Sequence, residues 1–407
     1  MTLDGPVVPA SFVRQPDQHG ALIIHGSLQG APSTPSSRSV LEVILRQGPV
    51  SRAELARITG LSKQTTSEVV RTLLEGGWVR VQGQVQGATG RSAVTYEMRA
   101  DAAFVLSIDL GGTKLHVALA DLGGVIVGEH VTPTDRRGGM HVIRQVGAVS
   151  ERLRQQAGVA PGALHGAVMG SPGVFDPRSG RILLAPNVSG LDGMDVADAL
   201  TRQLNCPVQV ENDVNLAANG ERWQGCCTGV ETFAFVALGT GIGMGVVADG
   251  RLLRGARGAA GEIAYLPLGG DPFDARGYRL GTLESAIGSA AILDRYHGLG
   301  GAPAEDVRAV FDRLEQGDPA AGATMDEVAR LLAQVCMALR AVLDPERIVF
   351  GGSIGARAPL LERVRALLDR HMADPVPVQA SALGSRAAIA GGVGLALTRL
   401  HDSLFIP

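Results

Sequence analysis

An α/β fold in two unequal parts is predicted by three features of the sequence. Residues 39–74 carry short helical stripes separated by Gly-containing turns, and two strand patterns follow them. From Phe104 onward, apolar strand runs alternate with helical stripes to the end of the chain. Three glycine-rich loops, beginning at Gly111, Gly239 and Gly351, each directly follow one of those apolar strands.

The first part can be justified element by element. Val40, Leu41, Val43, Ile44 and Leu45 form a helical stripe that Gly48-Pro49 closes. Ser51 and Glu54 have capping-box spacing at the start of a second helix, whose inner face is Leu55, Ala56 and Ile58. Thr59-Gly60-Leu61 makes a short turn, and Ser62 caps a third helix that runs to about Leu74, where Gly76-Gly77 stops it. Residues 78–81 and 94–98 read as two strands with Gly90-Arg91 between them. Three helices and a β-hairpin make a winged helix-turn-helix. Its third helix exposes Lys63, Gln64, Thr65, Thr66 and Ser67 in the first turn, side chains suited to base edges and phosphates. Arg71 lies further along, and Arg91 sits at the wing tip. The plainer alternative is a three-helix bundle with a solvated polar face. The turn, cap and wing together favour DNA.

Composition narrows the function classes. A chain of 407 residues with 45% hydrophobic residues suits two or three packed units. Its 55 glycines exceed the usual share of about 7% and cluster in short loops. The net charge of -3 excludes a polybasic nucleic-acid coat, so DNA contact must come from a local patch. Cys206, Cys226, Cys227 and Cys336 lack C-x-x-C spacing and read as reduced thiols of a cytoplasmic protein. There is no basic start with an apolar h-region and no apolar run of about 18 residues, so neither secretion nor a membrane span is expected.

The second part reads as strands at 105–108, 115–120, 167–170, 208–210, 233–238, 245–248 and 347–350, with helices at 142–156 and 325–343. The stretch 299–322 reads as a surface insertion with one short helix, and no solenoid-type repeat is visible. The expected domains are a flexible tail over 1–33, the winged helix over 34–99, one α/β lobe over 103–219 and another over 220–407. The last helix is expected to return to the first lobe. Asp109-Leu110-Gly111-Gly112-Thr113-Lys114 could cradle phosphate through backbone amides, with Thr113 adding a hydroxyl, and a plain strand turn is its bland alternative. In Glu211-Asn212-Asp213-Val214-Asn215, a carboxylate ends an apolar strand, where it could take a proton from a hydroxyl or cap a helix.

Residues from about 105 to 397 resemble the ROK family (repressors, open reading frames and sugar kinases). The resemblance is carried by Gly239-Thr240-Gly241-Ile242-Gly243 through Gly255-Ala256-Arg257-Gly258-Ala259-Ala260-Gly261-Glu262, which follow its signature closely. With the winged helix in front, the chain is similar to the repressor branch. The resemblance implies a two-lobed actin-like ATPase fold. It implies a catalytic-base position at Asp213 if the protein is a kinase. It places Gly173, Asn187, Asn212, Asp213, Glu262 and Glu284 at sugar-contacting positions. Gly111, Gly112, Thr113, Thr240, Gly241 and Gly352 fall on the nucleotide side.

One departure bears on cofactors. Where many members place a His and three cysteines, this chain has Tyr265, Ala275, Gly277 and Thr282. Zinc is therefore not expected, and no metal site is assigned. The expected function is a cytoplasmic regulator that needs no cofactor and binds operator DNA as a homodimer or higher oligomer under control of a sugar effector, with no membrane partner. The alternatives are an ATP-dependent sugar kinase using Mg-ATP with a DNA-binding appendage, and a sugar-binding protein with neither activity.

Overall fold

Local capping chemistry sets the N-terminal domain. In the computed structural model, which describes residues 34–86, 92–176, 181–183, 190–191 and 194–405, helix α1 (Pro35–Gln47) starts where Thr34 Oγ1 accepts the Ser37 N–H at 3.1 Å. Val40, Leu41 and Ile44 are fully buried, as the stripe requires. A short strand β1 (Val50–Ser51) leads into α2 (Arg52–Thr59). Only half of the expected capping box forms. Ser51 Oγ accepts the Glu54 N–H at 3.3 Å, while the Glu54 carboxylate lies 3.6 Å from Arg57. Helix α3 (Lys63–Glu75) opens with Ser62 Oγ accepting the Thr65 N–H at 3.1 Å. Strands β2 (Val79–Gln86) and β3 (Ser92–Met98) pair antiparallel, and β1 joins β3. This is the expected winged helix-turn-helix. The tail 1–33 and Arg91 lie outside the described residues.

The remaining described chain is built on two five-stranded sheets of one topology, with a separate two-stranded pair. In the first lobe, β4 (Phe104–Leu110), β5 (Lys114–Asp121) and β6 (Ile126–Pro133) make an antiparallel meander, and α4 (Gly139–Gln156) covers it. Strand β7 (Leu164–Ser171) then pairs parallel with β4. A hairpin of β8 (Val174–Asp176) and β9 (Arg181–Leu183) follows, then α5 (Val196–Leu204), parallel strand β10 (Val208–Asn212) and α6 (Asp213–Gln224).

The second lobe repeats the plan with β11 (Phe233–Leu238), β12 (Ile242–Ala248) and β13 (Arg251–Leu252) as its meander. Helices α7 (Ala275–Leu280), α8 (Thr282–Ile287), α9 (Ser289–Gly298), α10 (Val307–Glu315) and α11 (Pro319–Val342) intervene. Parallel strands β14 (Arg347–Gly351) and β15 (Val378–Ala380) flank α12 (Ala358–His371), and α13 (Ala387–Phe405) ends the description. The sheet orders β6-β5-β4-β7-β10 and β13-β12-β11-β14-β15 match strand for strand. The expected surface insertion over 299–322 is corrected. Helix α10 buries Val310 and Phe311, and Asp318 caps α11 inside this stretch, because the charges sit on the outer side of an amphipathic helix.

Helix α13 packs on α6 and β4 of the first lobe. The boundary expected between 219 and 220 falls inside α6. The two helices approach so closely that a Cβ on Gly220 would overlap the Ala387 carbonyl and one on Gly391 would overlap the Leu216 carbonyl. Beyond this crossing, Leu397, Leu400 and Leu404 of α13 share one core with Leu41, Ile44, Trp78 and Tyr96 of the winged helix. Trp78 also sets its ring 6.4 Å from that of His165, giving this histidine a packing role.

Two glycine substitutions should separate with opposite signs. Gly391→Ala must push backbones apart and should cost about 1–3 kcal/mol or more. Gly322→Ala, in α11 with open space around it, should gain about 0.5–1 kcal/mol from the helix preference for alanine. Urea denaturation of both variants beside wild type checks this. Equal effects would remove the close helix contact.

Candidate functional site

The end of β10 and the start of α6 place the first acidic group. Asn212 Oδ1 accepts the Val214 and Asn215 N–H groups at 2.9 and 3.0 Å, and Asn212 Nδ2 donates to the Gly173 carbonyl at 3.0 Å. The cap is therefore Asn212 and not Asp213. Asn212, one of the expected sugar-contacting residues, holds Gly173 and the helix start. Asp213 keeps a half-buried carboxylate, with Oδ1 accepting the Val214 N–H at 2.9 Å.

Four carboxylates gather here from four elements. Burial, then the charge of Asp109 and that of Glu262, pushes Asp213 up to about 6. Burial raises Asp109 on β4 despite the opposing Lys114 and His116. Glu262 is raised by burial and by Glu284, and Glu284 is raised by burial against the pull of the Ile242 N–H. Glu284 Oε2 accepts that N–H at 3.0 Å, and a Cβ on Gly241 would collide with the same oxygen. Gly241 is thus glycine to admit a carboxylate. The expected Asn187 lies outside the described residues.

The sequence run Glu211–Asn215 gave no sign of Arg254, or that Glu211 would be held by Arg254 and Asn215. Glu211 is only 6% exposed and accepts from Arg254 Nε at 2.8 Å, Asn215 Nδ2 at 3.0 Å and its neighbour's N–H, Asn212 N, at 3.0 Å. The available signal was a carboxylate at the end of an apolar strand, which on burial needs a cation. Arg254 belongs to the second lobe, so this pair spans the cleft.

The glycine loops separate into two places. A cavity of about 510 Å³ is lined by Thr240, Ser289, Phe311, Ser353 and Arg357, among others. Thr240 lines it, whereas Gly111, Gly112, Thr113, Gly241 and Gly352 do not. The Gly352 loop abuts β11, with the Ile354 N–H donating to the Leu238 carbonyl at 3.0 Å. The Gly111 loop is braced by Thr134, whose hydroxyl donates to the Gly111 carbonyl at 2.7 Å. Thr113 is exposed.

On α3, Lys63, Gln64, Ser67 and Arg71 are exposed and Thr65 is half-buried. Thr66 is a correction. It is fully buried and donates its hydroxyl to the Ser62 carbonyl at 2.9 Å, so it serves the helix and not a base edge. Its position falls on the same face as Val69, Val70 and Leu73.

A ROK family model matches residues 105–399, nearly all of both lobes, and a MarR family model matches residues 34–88. The chain belongs to the ROK family. It is 25% identical over 386 residues to the xylose repressor of Caldicellulosiruptor bescii, covering 90% of this chain and 96% of that one. It is also 30% identical to the glucokinase of Halalkalibacterium halodurans, over 70% of this chain and 93% of the other. A crystal structure described as a ROK family transcriptional regulator, homologous to the E. coli MLC protein, superposes with a TM-score of 0.73 at 24% identity. It covers 91% of this chain and 97% of its own, so the fold likeness extends over the winged helix and both lobes.

In this ROK member the loop that could carry zinc is built otherwise. Tyr265, Ala275, Gly277 and Thr282 offer no thiolate or imidazole, so these residues do not fit the metal. Among the described residues no group of three or more His, Cys, Asp or Glu is placed to hold one. Asp274 caps α7 by accepting the Gly277 N–H, and Thr282 is buried behind it. Tyr265, Phe273 and Tyr278 are all exposed.

The acidic cluster gives a signed pH dependence. An aspartate raised from its ordinary value to about 6 favours the folded state while protonated, and this contribution is lost as pH rises through about 6. Relative to wild type, Asp213→Asn should therefore gain stability at pH 7 compared with pH 4. Thermal melts of the two proteins across that range read the difference directly. A pH-independent difference would show that Asp213 is not strained by its neighbours.

Proposed function

We propose that this ROK protein is a sugar-responsive transcriptional repressor. The winged helix grips operator DNA with Lys63, Gln64, Thr65, Ser67 and Arg71, and a sugar held among Asp213, Glu262 and Glu284 sets that grip. The observation that carries this reading is one of packing. Helix α6 starts at Asp213, lies in backbone contact with α13, and α13 ends in the core of the winged helix. Sugar binding at one end thus bears on DNA binding at the other. The sugar acts through differential affinity, favouring a lobe arrangement that misplaces the recognition helices of a homodimer. The setting is the cytoplasm.

The pocket's chemistry points to a neutral ligand. Carboxylates accept hydrogen bonds from hydroxyls, whereas a phosphate on the sugar would lie against a cluster of like charge. Xylose and glucose, named for the relatives, are the first probes. Lys63→Ala should weaken operator binding and flatten its salt dependence, since one phosphate contact is lost. Glu262→Ala should leave sugar-free operator binding near wild type while sugar affinity falls about tenfold or more, the effect of losing a charge-assisted hydrogen bond of roughly 1.5–3 kcal/mol. Gel shifts at several salt concentrations, with calorimetry of a neutral-sugar panel, separate these outcomes. A Glu262→Ala protein that binds sugar normally, or that loses only DNA, would defeat the assignment of the pocket.

A second reading, an ATP-dependent sugar kinase, is favoured by one observation. A carboxylate near pH 6 is suited to accept a proton from a sugar hydroxyl. Mg-ATP would supply the phosphoryl group, and Thr240 and Ser353, which line the 510 Å³ cavity, would hold the nucleotide. Coupled assays with Mg-ATP and common hexoses are expected to show no sugar-dependent ADP release above background. Robust release that disappears in Asp213→Asn would replace the repressor with the kinase.

A further inference from the structure

In a chain that is only 4% aromatic, the exposed aromatic rings fall in one short stretch. Tyr265, Phe273 and Tyr278 are 45%, 94% and 83% exposed. Every other aromatic among the described side chains is buried or half-buried. A scatter of exposed apolar groups over a surface is ordinary, whereas their concentration in one place marks a contact site.

The backbone ties Tyr265 to the carboxylates. A single 3₁₀ turn (Ile263–Tyr265) follows Glu262, and the Tyr265 N–H donates to the Glu262 carbonyl at 3.3 Å. Ile263 and Ala264 are buried in the core of the second lobe, which leaves Tyr265 as the outward residue of the turn. Three residues complete one turn of such a helix, so positions 262 and 265 share a side of it. The segment carrying Glu284 is locked to the same turn. A Cβ on Gly281 would overlap the Ala264 carbonyl, and α8, which carries Glu284, packs on the turn, as does α7 with Tyr278. Tyr265 therefore stands where the segments of Glu262 and Glu284 meet.

We propose that Tyr265 is a specificity-determining residue whose ring carries the second sugar of a neutral oligosaccharide, the first being held among Asp213, Glu262 and Glu284. The assignment rests on the sugar pocket of the repressor reading and names its ligand class. The two subsites use different parts of a sugar. Carboxylates accept hydrogen bonds from hydroxyls at the ring edge. A pyranose also has a face of C–H bonds, apolar and slightly positive, which suits the negative face of an aromatic ring. Tyrosine offers that flat area while fixing only two side-chain torsions on contact. The surface suits a saccharide better than a protein. Exposed Asp271, Asp274 and Arg279 interrupt the aromatic residues, whereas the core of a protein interface is depleted of charge.

Calorimetry on the full chain compares glucose and xylose with cellobiose, maltose and xylobiose. At least one disaccharide should bind about tenfold more tightly than its own monosaccharide. Tyr265→Ala should remove that gain and leave monosaccharide affinity within about twofold of wild type, as an exposed substitution does. Tyr265→Phe should keep the gain, because the ring and not the hydroxyl makes the contact. Ultraviolet difference spectra add a readout that a merely structural role would not move. The tyrosine band should shift with the disaccharide and not with the monosaccharide, and the shift should vanish in Tyr265→Phe although binding persists. Disaccharides that bind no more tightly than their monosaccharides, or a gain that survives in Tyr265→Ala, would overturn the assignment and leave the monosaccharide pocket standing. Failure of all five sugars to bind would instead remove the pocket, and this inference with it.

Discussion

The backbone contact between α6 and α13 is the constraint on which the other features depend. Side chains are absent at Gly220 and Gly391 because neighbouring carbonyls occupy the space. Polar groups then fix the register. Asn219 Nδ2 donates to the Gly391 carbonyl at 2.9 Å, and the buried Ser107 hydroxyl donates to the Ile389 carbonyl at 2.9 Å. Two helices packed at this distance, with the Asn219 hydrogen bond across the contact and the Ser107 bond tying α13 to β4, move as one body because a slide would break bonds and collide backbones. One end of that body is Asp213. The other is the apolar face of Leu397, Leu400 and Leu404, which completes the core of the winged helix.

Much of this was legible in the sequence, and the reasons are local. Ser62, Gly60 and Gly48 act through their nearest neighbours, so the first domain could be read residue by residue. The strand-loop pattern also survived, since each glycine loop marks the end of an apolar run. What the sequence hid lies between distant segments. The duplicated sheet order has no sequence period because strands of equal rank are separated by different insertions. Thr66 looked like a polar face residue until its place beside Val69, Val70 and Leu73 was fixed by packing. Asn212 and Asp213 are both good caps, and only the geometry of the Gly173 contact decides between them. Glu211 and Arg254 are 43 positions apart in sequence (254 minus 211), and nothing in either segment alone announces the pair.

The loop around Tyr265 illustrates a different point. A metal braces a loop by tying several side chains to one centre. Here the loop is short-circuited locally, by the Asp274 cap and the buried Thr282, and α8 packs against the turn that carries Glu262 and Tyr265. The positions of Glu262 and Glu284 are therefore set by helix packing and by the Ile242 N–H, with no coordination bond in the account.

The charges in the cleft then give the repressor reading its direction. Asp109 and Asp213 belong to the first lobe, Glu262 and Glu284 to the second, and each is raised in part by burial in the shared cleft. Without a ligand, like charges face one another across the gap and favour separation, held in check by the bridge from Arg254 to Glu211. On the proposed reading, a sugar would present hydroxyl donors to acceptors on both sides, so its hydrogen bonds would be most numerous when the lobes approach. Such a ligand would favour the closed arrangement by the bonds it gains there, which is the differential affinity that the proposed switch needs. On the proposed reading, a closure felt at Asp213 would reach the winged helix along this same body, since α6 begins at that carboxylate, is locked against α13, and α13 completes the core of the winged helix.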